Sequence, residues 1–246
     1  DCFGNAITSL GDLDGDGIVD LAVGAHDNYT PGTKYERIGA VYILFLNSDG
    51  TVKNSQEISD TKGNFGVIEP YASFGNAISN IGDLDGDGII DLVVGSYGDS
   101  DNGYDSGAAF IIFLNIDGTV KSHQKISSID GNFDVVLEVG DNFGTAVASI
   151  GDLDGDGIVD LAIGAQGDDD GKSFIPVVLG GEPSSSKGAV YIIFLNIDGT
   201  VKSHQKISAD YGNFHDKLHP LDRFGYAMAN MGDLNDDGVN DIIVSA

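Results

Sequence analysis

The chain has 246 residues, with 39 Asp and Glu against 12 Lys and Arg, so its formal net charge is −27. Such a negative chain repels phosphate groups, and this argues against nucleic acid or anionic lipid surfaces as partners. Hydrophobic residues make up 41% of the chain, which is typical of a folded protein, and no apolar segment is long enough to span a bilayer. We therefore expect no direct membrane insertion.

The first part of the chain predicts four antiparallel strands in succession. A strand around FGNAITSLGD, which begins at Phe3, enters an acidic loop, and the short apolar strand LAVGA leaves it. After a variable loop, GAVYILFLN predicts a third strand that is apolar on both faces, and a more polar fourth strand follows the turn NSDGT. No segment has helical spacing. The same order begins again at Phe74, Phe143 and Phe224, and the last copy stops after its second strand.

Four antiparallel strands per repeat, with an apolar third strand and a polar fourth, are typical of the blades of a β-propeller. The sequence predicts an all-β fold with about three and a half four-stranded antiparallel blades, which form a partial ring. Residues 1–246 form one region, with blade 1 at 3–73, blade 2 at 74–142, blade 3 at 143–223 and half of blade 4 at 224–246.

The last inner strand, around Ile242–Ser245, would have an unpaired edge, which folded proteins avoid. We therefore expect that the chain is a fragment of a longer protein or that another chain completes it. A closed ring of four blades fits the chain length, but the closing strands are missing from the sequence.

The acidic loop occurs four times, as DLDGDGIVD, DLDGDGIID, DLDGDGIVD and DLNDDGVND. Each copy has carboxylates or an amide at its first, third, fifth and ninth positions, and such crowded oxygens repel one another unless a cation neutralises them. Calcium accepts about six to eight oxygens in flexible geometry, including a backbone carbonyl such as that of the seventh residue. Magnesium prefers a stricter octahedron, and zinc prefers nitrogen or sulfur ligands. The sequence thus predicts about four Ca2+ ions, one per loop.

The predicted calcium ligands are Asp12, Asp14, Asp16, Ile18, Asp20, Asp83, Asp85, Asp87, Ile89, Asp91, Asp152, Asp154, Asp156, Ile158, Asp160, Asp233, Asn235, Asp237, Val239 and Asp241. An EF-hand loop begins in a similar way, but it ends on a bidentate glutamate at its twelfth position. That position holds Val23, Val94, Ile163 and Val244. Because Asn235 removes one charge from the fourth loop, we expect weaker binding there.

Phe-Gly, the acidic loop and Gly-Ala recur in this order, as in FGNAITSLGDLDGDGIVDLAVGA followed by GAVY. This pattern resembles the FG-GAP repeat of the integrin α-chain head, and the resemblance covers essentially the whole chain. It implies a seven-bladed extracellular propeller that binds ligand on one face. An extracellular or cell-surface location also suits calcium modules of low affinity, with dissociation constants of about 10⁻⁴ to 10⁻³ M, which cytosolic calcium would leave empty.

Successive connections in an antiparallel blade alternate between two rims. The acidic loops and the DGT turns therefore share one rim, and the variable loops share the opposite one. Binding residues concentrate on loops that a rigid frame displays, and the resemblance implies that this opposite face binds ligand. The candidate contacts for a protein or glycan ligand are Tyr29, Tyr35, Arg37, Tyr97, Tyr104, Phe174 and Arg223.

Two features of the chain leave alternatives open. The run Asp168–Asp170 is either a further cation site or a solvated acidic run. Cys2, the only cysteine, is either a free thiol near a rim or the partner of a cysteine in another chain.

Two functional hypotheses follow from these sequence features. The first is an adhesive or ligand-binding propeller, and the second is an architectural unit of a large surface or filament-forming protein, whose partners are further copies or blades. A propeller-based hydrolase or lyase is less favoured. His123 and His204 recur in KSHQKIS as features of the blade, while His26, His215 and His219 lie in variable loops without a nucleophile motif such as GxSxG. We therefore do not expect an enzyme.

Overall fold

The computed structural model describes residues 1–28, 37–66, 68–170, 186–214 and 216–246. These residues contain fourteen β-strands and no helix, so none of them forms the long apolar helix that crosses a membrane. The strands are β1 Ile7–Gly11, β2 Asp20–Gly24, β3 Val41–Leu46, β4 Val52–Ile58, β5 Ile78–Gly82, β6 Asp91–Ser96, β7 Ala108–Leu114, β8 Val120–Ile126, β9 Phe143–Gly151, β10 Asp160–Ala165, β11 Ala189–Leu195, β12 Val201–Ile207, β13 Met228–Gly232 and β14 Asp241–Val244.

Neighbours in sequence pair antiparallel, which gives the four-stranded sheets β1–β4, β5–β8 and β9–β12 and the two-stranded sheet β13–β14. The predicted strand order is thus confirmed. The first strand is shorter than predicted in three repeats, since β1, β5 and β13 begin four residues after their Phe-Gly phenylalanine and only β9 begins on it.

The sheets are arranged side by side, with the first strand of each next to the first strand of its neighbour: β1 lies beside β5, β5 beside β9, and β9 beside β13. Isolated parallel bridges join Gly39 to Phe74, Gly107 to Phe143 and Gly188 to Phe224. Each sheet is therefore tied to the next through the Phe-Gly motif. This radial arrangement of sheets is a partial β-propeller, as predicted, and its ring is not closed.

Aromatic residues fill the spaces between the sheets. Between the first and second sheets the rings of Phe65, Phe74 and Phe110 lie 5.0–5.6 Å apart, and Phe133, Phe143 and Tyr191 repeat the arrangement one sheet further on. β7 is buried along its whole length, since sheets cover both of its faces. The apolar third strand that the sequence predicts is therefore a core strand.

Glycines allow the close approach of neighbouring sheets. A Cβ on Gly24, which ends β2, would overlap the carbonyl oxygen of Gly75 in the next Phe-Gly motif. A Cβ on Gly95 would likewise overlap the carbonyl oxygen of Gly144, and one on Gly164 would overlap that of Gly225. The repeated Gly-Ala and Phe-Gly pairs are thus two sides of one contact, and any side chain there would push the blades apart.

Candidate cation-binding loops

The acidic loops lie at the end of each sheet where the first strand turns into the second. In the first loop one carboxylate oxygen from each of Asp12, Asp14 and Asp20 lies within 4.8 Å of the others. Two further loops repeat this cluster, with Asp83, Asp85 and Asp91 and with Asp152, Asp154 and Asp160. The fold therefore gathers the first, third and ninth positions, and three carboxylates at this spacing repel one another without a cation.

Backbone hydrogen bonds fix the shape of the loop. The amide of the sixth residue, Gly17, donates to Asp12 Oδ2 at 2.8 Å, and the amide of the seventh, Ile18, donates to Asp16 Oδ1 at 2.9 Å. The other three loops repeat both bonds. Gly17 has a φ of 87°, a left-handed conformation that favours glycine and explains the invariant sixth position among the repeats.

The ninth-position aspartate anchors the loop to the third strand. Asp91 is buried, and its oxygens accept hydrogen bonds from the amides of Leu84 in the loop, at 3.0 Å, and Leu114 at the end of β7, at 3.1 Å. Burial raises the pKa of Asp91 to about 6, against the lowering effect of these two bonds. Burial likewise raises the pKa of Asp160. A buried carboxylate of this kind is stabilised by a nearby positive charge.

The fifth-position aspartates bind a lysine instead of joining the clusters. Lys53 of β4 places its Nζ 2.7 Å from Asp14 Oδ2 and 2.5 Å from Asp16 Oδ2. Lys121 makes the same two contacts with Asp85 and Asp87, and Lys202 makes them with Asp154 and Asp156. The hydrogen bond from lysine is the main cause of the lowered pKa of each fifth-position aspartate.

Sequence reasoning missed these lysines, although a signal was present: each follows a DGTV segment at the start of a fourth strand. Their contacts place the acidic loop beside the DGT turn within each complete blade.

The residues of the loop fit a hard, oxygen-liganded cation. Asp14 Oδ1 is buried and has no hydrogen-bond partner among the described residues. The clustered donors of the loop are carboxylate oxygens, without the nitrogen or sulfur that zinc favours. The loops therefore suit calcium better than a softer metal.

The fourth loop has the same internal shape with one carboxylate fewer at its predicted ligand positions, although Asp236 keeps its total at four aspartates. Asp237 Oδ1 accepts the Val239 amide at 2.9 Å, and Asp241 Oδ2 accepts the Leu234 amide at 2.9 Å. Asn235 Oδ1 accepts the amide of Asp237. Asparagine therefore preserves the turn while it removes the charge from the third position.

On the opposite rim the predicted ligand contacts are spread out. Tyr104 is 71% exposed, Arg37 and Arg223 are exposed, and Arg37 lies 3.6 Å from Asp27. Tyr97 instead lines a cavity of about 500 Å³ between the first strands, together with residues such as His26 and Gln166. Three candidates, Tyr29, Tyr35 and Phe174, lie outside the described residues.

The run Asp168–Asp170 is not solvated, so that interpretation is wrong. Asp168 is 3% and Asp169 8% exposed. Lys206 donates to Asp168 Oδ1 at 2.7 Å and lies 3.1 Å from Asp170 Oδ1, and the hydroxyl of Tyr191 donates to Asp168 Oδ2. Lys125 binds Asp99 and Asp101 in the same way one blade earlier. A lysine ammonium therefore takes the place of the alternative cation.

The histidines give no catalytic arrangement among the residues that can be described. The rings of His123 and His204 pack against Phe65 and Phe133, which agrees with their interpretation as blade features. His26 lies with Cys2 and Asp27 in a group within 4.8 Å. The Cys2 thiol donates to Asp27 and not to His26, so the group lacks the nucleophile-to-base hydrogen bond that covalent catalysis uses. His215 is outside the described residues.

A partial propeller whose repeated blades carry acidic nine-residue loops defines a class of repeat proteins, and sequence comparisons identify the family. A family model described as an FG-GAP-like repeat matches residues 12–94, and one described as an FG-GAP repeat matches residues 143–193. Together they cover more than half of the chain. The chain belongs to the FG-GAP repeat proteins and has an integrin α-like fold.

Several curated relatives are integrin α-chains. Integrin alpha-3 of Cricetulus griseus is 29% identical over 215 residues, which cover 87% of this chain and 17% of the relative. Integrin alpha-2 of Mus musculus is 34% identical over 167 residues, with 67% and 13% coverage, and integrin alpha-PS5 of Drosophila melanogaster is 32% identical over 170 residues, with 67% and 15%. The chain thus spans less than a fifth of the length of these relatives.

Proposed function

We propose that the chain is part of a calcium-stabilised extracellular β-propeller that serves adhesion or ligand binding through the rim opposite the acidic loops. The observation that carries this proposal is the carboxylate cluster that recurs in three loops, with a buried aspartate at its ninth position. When bound, calcium would neutralise the cluster, and its ligands would come from the predicted loop positions. A second candidate, an architectural unit that packs against further copies, uses the same loops.

The chain's own residues would convert ion binding into rigidity. Asp20 is hydrogen-bonded to the amides of Leu13 in the loop and Leu46 at the end of β3, both at 3.0 Å. An ion held by Asp20 would therefore tie the hairpin of the first two strands to the third strand. The opposite rim would then display its variable loops on a rigid frame. Low-affinity loops of this type fill only at the calcium levels found outside cells, which supports an extracellular or cell-surface location.

Ligand binding through the opposite rim is tested by arrays that carry extracellular-matrix proteins and glycans, probed with the fluorescently labelled chain in about 1 mM calcium. The variant Tyr97→Ala/Tyr104→Ala changes the opposite rim. The variant Ile116→Ala changes an exposed residue of a DGT turn, on the rim of the acidic loops, and serves as the matched control. We expect the first variant to lose binding and the second to retain it.

The reverse pattern would contradict the choice of rim. If no array component binds and sedimentation velocity shows calcium-dependent self-association, the architectural function is correct and ligand binding is not.

A further inference from the structure

Each of the three complete blades holds a lysine against its acidic loop with the same geometry. Lys53, Lys121 and Lys202 each contact the third- and fifth-position aspartates through Oδ2 atoms, at 2.5–2.7 Å. The lysine lies 34–48 residues from these aspartates in sequence. The recurrence of so distant a contact in three repeats indicates a feature of the blade and not a chance surface pair.

The lysine ammonium contacts aspartate oxygens that a divalent cation would need as ligands. In the fifth-position Asp16, Oδ1 accepts the amide of Ile18 and Oδ2 accepts Lys53. In Asp87 and Asp156, likewise, Oδ1 accepts the amide of the residue two positions later and Oδ2 accepts the lysine of the same blade. Neither oxygen of this aspartate can approach a divalent ion without bringing that ion near the lysine, so the two cations repel each other. The third-position Asp14 differs, because its Oδ1 remains unpaired while Oδ2 contacts the lysine.

We propose that Lys53, Lys121 and Lys202 are built-in competitors of the loop cation: they neutralise the loops of the calcium-free chain and weaken calcium binding to them. This inference rests on the proposed function, since it requires that the loops bind calcium. The lysine must release the fifth-position aspartate before that aspartate becomes a ligand. The competitor thus keeps the empty loop folded and shifts its affinity toward the high calcium levels outside cells.

The test compares calcium affinity by isothermal titration calorimetry in the wild type and in Lys53→Met/Lys121→Met/Lys202→Met. Removal of a unit charge a few ångströms from a divalent ion should tighten calcium binding about 10-fold after screening by salt. In EDTA the same variant should melt at a lower temperature than wild type, because its loops have lost their counter-ion.

Two matched controls separate competition from general charge. Lys62→Met removes one charge from blade 1, as Lys53→Met alone does, but Lys62 is 60% exposed and pairs with Glu57 away from the loop, so it should leave calcium affinity unchanged. Lys53→Arg/Lys121→Arg/Lys202→Arg retains the charge and should bind calcium as weakly as wild type. If the triple methionine variant fails to fold, Lys202→Met alone gives the same comparison for one loop.

The possible results distinguish the competitor role of the lysines from calcium binding by the loops. Calcium binding that is unchanged or weaker in the methionine variants would overturn the competitor role and leave the calcium function intact. Absence of binding in both wild type and methionine variants would overturn both claims. Binding that appears only after the lysines are removed would support the competitor role.

Discussion

The contact between neighbouring blades depends on glycines, and a single methyl group added at Gly144 tests it. Gly144 has a φ of 86°, and a Cβ there would overlap the carbonyl oxygen of Ala108 and lie 3.1 Å from the amide nitrogen of Ser96. Gly140 has a nearly identical φ of 83°, with nothing within 4 Å of its Cβ position. Gly140→Ala therefore carries the same backbone strain without the overlap.

The two substitutions should differ in stability by the cost of the overlap alone. Left-handed strain costs an L-residue about 1–2 kcal/mol at either position. Overpacking against backbone adds about 2 kcal/mol at Gly144. Because about 1 kcal/mol shifts the melting temperature of a chain of this size by roughly 2–4 °C, Gly144→Ala should melt about 4–8 °C below Gly140→Ala.

Thermal unfolding followed by circular dichroism in saturating calcium measures this difference directly. Equal melting temperatures for the two variants would mean that the sheets do not approach each other at the Phe-Gly motif, and the radial packing of the blades would be refuted.

Two other predictions concern buried charge. Burial, with the nearby charge of Asp168 as a smaller cause, raises the pKa of Asp141 to about 7, so the folded chain binds this proton more tightly and loses stability as pH rises toward 7. Asp141→Asn should therefore raise the melting temperature more at about pH 8 than at about pH 5, and a gain equal at both values would contradict this. Among the described residues, Lys206→Met leaves buried Asp168 with the hydroxyl of Tyr191 as its one side-chain partner, which should cost about 3 kcal/mol in urea unfolding. The exposed control Lys62→Met should have the unfolding free energy of wild type. An equally small effect of Lys206→Met would show that the ion pairs of Lys206 do not stabilise the fold.

The strands could be predicted from the sequence because their signals are local. An apolar run on both faces, such as AAFIIFL in β7, requires cover on both sides, and the Asp-Gly turns mark the strand ends. The acidic loops could be predicted for the same reason, since their ligands follow one another within nine residues. The arrangement of the sheets as propeller blades could be predicted because the same strand order is repeated along the chain.

Contacts between distant residues could not be predicted in this way. Lys53 meets Asp14 across 39 residues, and only the pairing of β1 to β4 brings the start of the fourth strand beside the loop. The solvated interpretation of Asp168–Asp170 is wrong for a related reason, because the cationic partner of this run, Lys206, lies 38 residues from Asp168 on another strand. The surroundings of an acidic run cannot be inferred until the position of its counter-ion is known.

The most direct test of the calcium-stabilised propeller is the melting temperature of the chain in EDTA and in about 10 mM calcium. If about four loops bind with dissociation constants near 10⁻³ M, the ions together contribute about 6 kcal/mol. We predict that calcium raises the melting temperature by roughly 12–24 °C. Superimposable unfolding curves in EDTA and calcium would contradict calcium stabilisation of the blades.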